Sequence, residues 1–159
     1  MSFIIGIAPG AAGTVAILEL DGSLVLVFDM PSVEIVSKGK AKRRVSPEML
    51  AAELLPYNAH CTTAVVEQVG AVPGQGVSST IAFGQAYGLA LNVLAGMGIP
   101  ANTVTPASWK HAMKLNTCKD AARAESVRRW PRQAGKFRRV TDDGKAEAAL
   151  IALWNLNAT

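Results

Sequence analysis

Histidine and cysteine are nearly absent from these 159 residues: His60, His111, Cys61 and Cys118 are the whole supply. A tetrahedral zinc centre needs about four such ligands at short spacings. Although His60 adjoins Cys61, the other two lie far off, which leaves no structural metal set. Nothing at the Met1 end reads as a charged, apolar and cleavable leader, so the thiols are expected to be reduced and the chain cytoplasmic. Long apolar runs are also missing. The most apolar segment, 81–99, is interrupted by Gly84, Gly88, Gly96 and Gly98 and carries Gln85 and Asn92. It falls short of the ~18 uninterrupted apolar residues of a membrane span and reads as a buried helix. Acidic residues are the minority, 12 against 16 Lys and Arg, and none occurs between 126 and 140.

What is present is positive charge in two clusters. Lys38, Lys40, Lys42, Arg43 and Arg44 crowd the stretch KGKAKRR, and Arg128, Arg129, Arg132, Lys136, Arg138 and Arg139 crowd a second one. A solvated basic loop is the plain reading of either. Two of them favour a polyanion, because each phosphate neutralised releases counterions. Nucleic acid is preferred to a membrane surface, since neither cluster lies on a clear amphipathic helix.

Half of the residues are apolar, enough for one domain over 1–159 with a real core. Strands are predicted at 3–7, 14–20 and 23–29, the last two joined by Asp21-Gly22, a hairpin signal. Pro31 ends the third strand, and 32–45 reads as a long basic connection. Ser46-Pro47 opens a helix to about Leu55, with serine as N-cap and proline at N1. A strand at 62–69, a Gly/Pro loop at 70–76, a helix at about 78–97 and a short strand at 102–104 follow. Helices at 106–113 and 119–129, a basic loop at 132–140 and a last helix from 142–144 to about 156 complete the chain. Strands alternating with helices after an antiparallel start predict an α/β fold with a mixed sheet.

The chemistry is sought where acidic residues meet element ends. Glu67 closes an apolar strand whose face it shares with Val65 and Val69; turned inward it needs a cation, turned outward it needs nothing. Asp143 and Glu147 are four apart and share one helix face, although first-turn acids are also favoured by the helix dipole alone. Asp142 is the expected N-cap. If the first strand is central and the 62–69 strand lies beside it, Ala8, Glu67 and the start of the last helix converge. Oxygen ligands so placed suit Mg²⁺ or Mn²⁺ and phosphodiester hydrolysis. What such a site lacks is a bridging carboxylate, because position 8 holds a methyl where a tip of this kind usually presents a polar group.

The segment IIGIAPGAAGTVAIL resembles the first strand of RuvC-type Holliday junction resolvases, whose fold is ribonuclease H-like and which read aspartate at the place of Ala8. VVEQV, GQGVSSTIAFGQAYG, VTPASWK, KDAARA and DDGKAEAALIAL continue the resemblance over nearly the whole chain. The AEAALIA ending is most similar to a phage and bacterial branch shared with the chloroplast junction resolvase. This resemblance implies a mixed five-stranded sheet with helices on both faces. It also implies a homodimeric endonuclease that uses Mg²⁺ or Mn²⁺ to nick four-way DNA junctions. Carried onto this chain, the catalytic positions are Ala8, Glu67, Asp143 and Glu147, with Asp142 as the fallback for Asp143 and with Lys110 and Lys119 near the scissile phosphate. The metal ligands are then Glu67, Asp143 and Glu147. Lys38, Lys40, Lys42, Arg43, Arg44, Gln75, Ser78 and Ser79 are the implied DNA contacts, and the face of the long helix with Phe83, Gly84, Tyr87 and Gly88 is the implied dimer surface. Trp109, Trp130 and Trp154 are read as structural. Ala8 departs from the pattern and implies an inactive variant with an introduced alanine, which the intact remainder of the site favours, or a natural branched-DNA binder that does not cut. A sugar-kinase-like ATPase fragment shares the glycine-rich first hairpin but requires a second domain.

Overall fold

Burial on both sides explains why the first strand is written without alternation. In the computed structural model, which describes residues 1–68 and 70–158 with the side chain of Lys119 excepted, β1 (Phe3–Ala8) is buried along its whole length. Its turn back into β2 (Thr14–Glu19) is tight. A Cβ on Gly13 would lie 2.2 Å from the Ala8 carbonyl oxygen, so only glycine fits there. β2 pairs with β3 (Leu24–Asp29) through the Asp21-Gly22 turn, where the Ser23 N–H donates to Asp21 Oδ1 at 2.8 Å.

The predicted connection at 32–45 is instead a second hairpin, β4 (Ser32–Ser37) and β5 (Lys40–Val45), forming its own two-stranded sheet. Its two-residue turn is Lys38-Gly39, both with positive φ (52° and 73°), the geometry that matches strand twist. Pro31 therefore separates two hairpins rather than opening a loop. α1 (Pro47–Asn58) starts as expected at Ser46, whose Oγ accepts the Met49 N–H, and runs past the predicted Leu55 with Pro56 in its last turn. β6 (Cys61–Glu67), α2 (Val77–Gly96), β7 (Ala101–Val104), α3 (Pro106–Ala112), α4 (Lys119–Arg129) and α5 (Asp143–Ala158) follow. Val69, counted in the predicted fourth strand, lies outside the described residues.

The basic stretch 132–140 is not a loop either. It forms two 3-10 turns, Pro131–Lys136 and Val140–Asp142. Trp130 Nε1–H donates to the Gly22 carbonyl and Gln133 Nε2–H to that of Leu24, both at 2.9 Å, which ties the segment to the sheet.

The main sheet has the order β3-β2-β1-β6-β7, with β1, β6 and β7 parallel to one another. Alternate residues of each strand face opposite layers. Ile4, Ala8, Val65 and Val104 pack under α4 and α5, whereas Ile5, Ile7, Ala64 and Val66 pack against α1 and α2. This is the mixed five-stranded sheet with helices on both faces. No helix among the described residues is long and apolar enough to cross a membrane. Both cysteines are free, and burial pushes the Cys61 thiol up to about 11.

α5 lies hard against β1. A Cβ on Gly6 would fall 2.3 Å from the Ala148 carbonyl oxygen and 2.7 Å from the Ala152 nitrogen. This contact sets where the first turn of α5 sits over the ends of the central strands.

Candidate active site

β1 and β6 run parallel, so their C-terminal ends share one edge of the sheet. Ile7 pairs with Val66, and one step on Ala8 is level with Glu67. The first turn of α5 closes over this edge, held by Thr14, which pairs with Ala8 across the β1–β2 ladder and donates through Oγ1 to the Gly144 carbonyl at 2.5 Å. Gly144 permits the approach, since a Cβ there would meet the Thr14 side chain at 3.3 Å. Ala8, Glu67, Asp143, Gly144 and Glu147 thus line one wall of a cleft of about 810 Å³. Lys42, Arg43 and Arg44 of β5 also line it, as do Ser78, Ser79 and Phe83 of α2.

Each carboxylate in this wall has a partner. Trp109 Nε1–H donates to Glu67 Oε2 at 2.6 Å, and the indole itself is fully buried. Lys110 Nζ is 3.5 Å from Glu147 Oε1 and lies over the Trp109 ring at 5.4 Å from its centroid. Arg123 Nε is 2.7 Å from Asp143 Oδ1 with both atoms buried, and the same guanidinium engages Asp120 and the Arg138 carbonyl. Burial holds the Glu67 carboxyl above its usual range. The Trp109 N–H opposes this, the nearby Glu147 charge adds to it, and Lys110 again opposes it.

That environment makes a testable pH dependence. Glu67 keeps its proton to higher pH in the folded chain than in the unfolded one, so stability falls as pH rises through that window. Glu67→Gln leaves an acceptor for the Trp109 N–H and removes the charge. It should melt with the wild type near pH 4 and above it at pH 8, by about 2–4 °C for each kcal/mol relieved. A difference in melting temperature that is the same at both pH values would show that the buried charge is not the cause.

Comparison with solved structures places this architecture. Thermus thermophilus RuvC in complex with a Holliday junction substrate superposes with a TM-score of 0.62 at 15% identity, covering 99% of this chain and 95% of that one. A second Thermus thermophilus RuvC structure gives 0.55 at 18% identity, over 98% and 95%. The fold is that of RuvC. No family model and no curated protein sequence matches the chain.

Within this RuvC-like fold the sequence-predicted residues separate into groups. Glu67, Asp143, Glu147 and Lys110 come together beside Ala8. Ser78 and Ser79 line the cleft without capping α2, whose N-cap is Gly76. Lys42, Arg43 and Arg44 line the same cleft, whereas Lys40 is exposed further out along β5, Lys38 occupies the hairpin turn, and Gln75 is not among the lining residues. The side chain of Lys119 lies outside the described residues. Asp142 is not the N-cap of α5. Its buried carboxylate accepts the Arg139 N–H at 2.9 Å and the Arg139 guanidinium, which holds it below the usual range, and so closes the turn before the helix. Tyr87 is half-buried and packs against the α1–α2 core, and the Phe83 ring lies by the β1–β2 turn near Gly10.

Three participants carried no signal in the sequence. Trp109, read as structural, holds Glu67. Arg123 holds Asp143, and Thr14 anchors the start of α5. Each contact spans 20 or more positions, and no local spacing encodes it.

The donors present do not fit a divalent cation as they stand. Position 8 offers a methyl, and Asp143 and Glu147 are engaged by Arg123 and Lys110. Among the described residues no three His, Cys, Asp or Glu side chains converge on a common point.

Proposed function

We propose that this chain is a junction-DNA-binding protein of the resolvase type, a single domain over its 159 residues whose nuclease site lacks its first carboxylate at Ala8. One observation carries the reading: Lys42, Arg43 and Arg44 of β5 line the same cleft as Ala8, Glu67, Asp143 and Glu147. A phosphodiester backbone in that cleft would meet both the cations and the carboxylates. The likeness of the fold to a RuvC solved with a Holliday junction substrate supports four-way DNA as the ligand. Lys110 and Lys119 are carried into this reading as backbone-steadying cations, with Gln75, Ser78 and Ser79 as contacts at the head of α2.

A homodimer belongs to the same reading. α2 exposes Val77 and Ile81, and a Cβ on Gly84 or Gly88 would meet nothing within 4 Å, so that face has room for a second copy. Sedimentation giving the mass of one chain at micromolar concentration would remove the dimer from the proposal.

The test is a synthetic four-way junction offered to the wild type and to Ala8→Asp, with Mg²⁺ or Mn²⁺. Binding by both is expected, with paired nicks from Ala8→Asp alone. The second reading, a binder that never cuts, has an observation of its own: Asp143 and Glu147 already have internal cationic partners. It gains if Ala8→Asp binds and leaves the junction intact. Equal affinity for linear duplex and junction would defeat both.

A further inference from the structure

Of the two basic clusters, the second has three of its six cations ion-paired, whereas among the described residues no ion pair engages the first. Arg128 and Arg129 both engage Glu125, Arg139 engages Asp142, and the surrounding segment is pinned to the sheet. On β5, by contrast, no ion pair among the described residues engages Lys40, Lys42 or Arg44, and all three are exposed. Cations that are unpaired in the free protein still have counterions to exchange for phosphates.

The ladder register sorts the hairpin cations by face. Val33 pairs with Arg44, Ile35 with Lys42 and Ser37 with Lys40, while Glu34 pairs with Arg43. Directly paired residues share a face, and faces alternate along a strand. Lys40, Lys42 and Arg44 therefore stand in one row, roughly 6.8 Å apart at two residues per step. Arg43 is on the other face, opposite Glu34, with its Nε–H donating to Ser32 Oγ at 2.9 Å. The row has a direction. Its Arg44 and Lys42 end lines the cleft that holds Glu67, Asp143 and Glu147, and Val45 beyond it is buried in the core. Its Lys40 end reaches toward the exposed turn at Lys38-Gly39.

From this we infer that the β4–β5 hairpin is a strand guide. Arg44, Lys42 and Lys40 take three successive phosphates of one DNA strand as it leaves the carboxylate wall. The spacing of the row is of the order of the separation between neighbouring phosphates on a single strand. A rigid two-stranded ribbon, unlike a mobile loop, holds that spacing before DNA arrives. The inference rests on the junction-binding reading above and adds which cations do the work and on what.

The experiment is the salt dependence of junction affinity for the full chain. Three phosphate contacts contribute about 2–3 units to the slope of log K against log salt. The variant Lys40→Gln/Lys42→Gln/Arg44→Gln should lose that amount, whereas Arg128→Gln, at a cation already paired with Glu125 and outside the cleft lining, should change the slope by less than about 0.5. The charge-preserving Lys40→Arg/Lys42→Arg/Arg44→Lys should keep the wild-type slope, and an unchanged melting temperature would show that the ribbon is intact in each. A wild type that binds with a slope the triple Gln variant leaves unaltered would overturn the strand guide alone. So would an Arg128→Gln loss as large as that of the triple variant. A wild type with no junction affinity would overturn the DNA reading and the guide together.

Discussion

Ala8→Asp is expected to make the folded protein sensitive to divalent cations: several degrees less stable than the wild type in EDTA, and raised by about 5–10 °C in Mn²⁺ at a hundredfold excess over its dissociation constant. The wild type should move by less than about 1 °C. The reasoning is electrostatic. Glu67, Asp143 and Glu147 stand at one sheet edge, and Lys110 and Arg123 are ion-paired to the latter two. One negative charge is then left, on a carboxyl that burial already discourages from ionising. The methyl of Ala8 is nearly buried on the same side of the sheet, level with Glu67. A carboxylate there adds charge in a place with little water, which costs stability when nothing compensates it. A divalent cation compensates it, so binding to the folded state alone appears directly as stability. Melting curves in EDTA and in a Mn²⁺ series measure this without any DNA or cleavage. No Mn²⁺ response in Ala8→Asp would mean that the side chains gathered at positions 8, 67, 143 and 147 are not a metal site in waiting. An equal response in the wild type would mean that position 8 is not the missing member.

Gly6→Ala should be among the most damaging single-methyl additions in the molecule. The added carbon would lie 2.3 Å from the Ala148 oxygen, 2.7 Å from the Ala152 nitrogen and 2.8 Å from the Ala152 Cβ. Two of these are backbone atoms in the middle of a 16-residue helix, so no flexible side chain can yield. α5 must move away from β1 as a body or β1 must buckle, and overpacking of this kind costs about 3 kcal/mol or more. For a chain of this size that is a fall of about 6–12 °C in melting temperature. The same displacement carries Asp143 and Glu147 away from Ala8 and Glu67. Gly6→Ala placed on the Ala8→Asp background should therefore also abolish the Mn²⁺ response. Gly96→Ala is the control: its Cβ meets nothing within 4 Å, and the folded chain should lose no stability. A Gly6→Ala protein that melts within 2 °C of the wild type would show that α5 has more room than these distances allow.

The β4–β5 hairpin was illegible for a physical reason. Its strands bury almost nothing, with only Val45 of β5 in the core, so the apolar alternation by which strands are recognised is not written into SVEIVS and KAKRRV. Backbone pairing and a Lys-Gly turn in place of the usual Asn-Gly hold it together. The 132–140 stretch shows no pattern for the same reason, because two side-chain bonds to β3 and the preceding turn order it. Trp109 illustrates the limit for the site. A buried tryptophan in an α3 helix is adequately explained by its volume, and only the fold reveals that its N–H reaches a glutamate 42 positions earlier.

By itself the sequence determined the run of β1, the β2–β3 turn, the Ser46 cap of α1 and the placing of Glu67, Asp143 and Glu147 at element ends. These follow from periodicity, turn chemistry and side-chain type, all of which act within a few residues. Only the tertiary structure decided that Arg123 and Lys110 engage two of those carboxylates, that Trp109 holds the third, and that Lys42 and Arg44 line one cleft with them. Electrostatic pairing depends on distance through space, and the sheet order β3-β2-β1-β6-β7 brings together residues that no spacing along the chain relates.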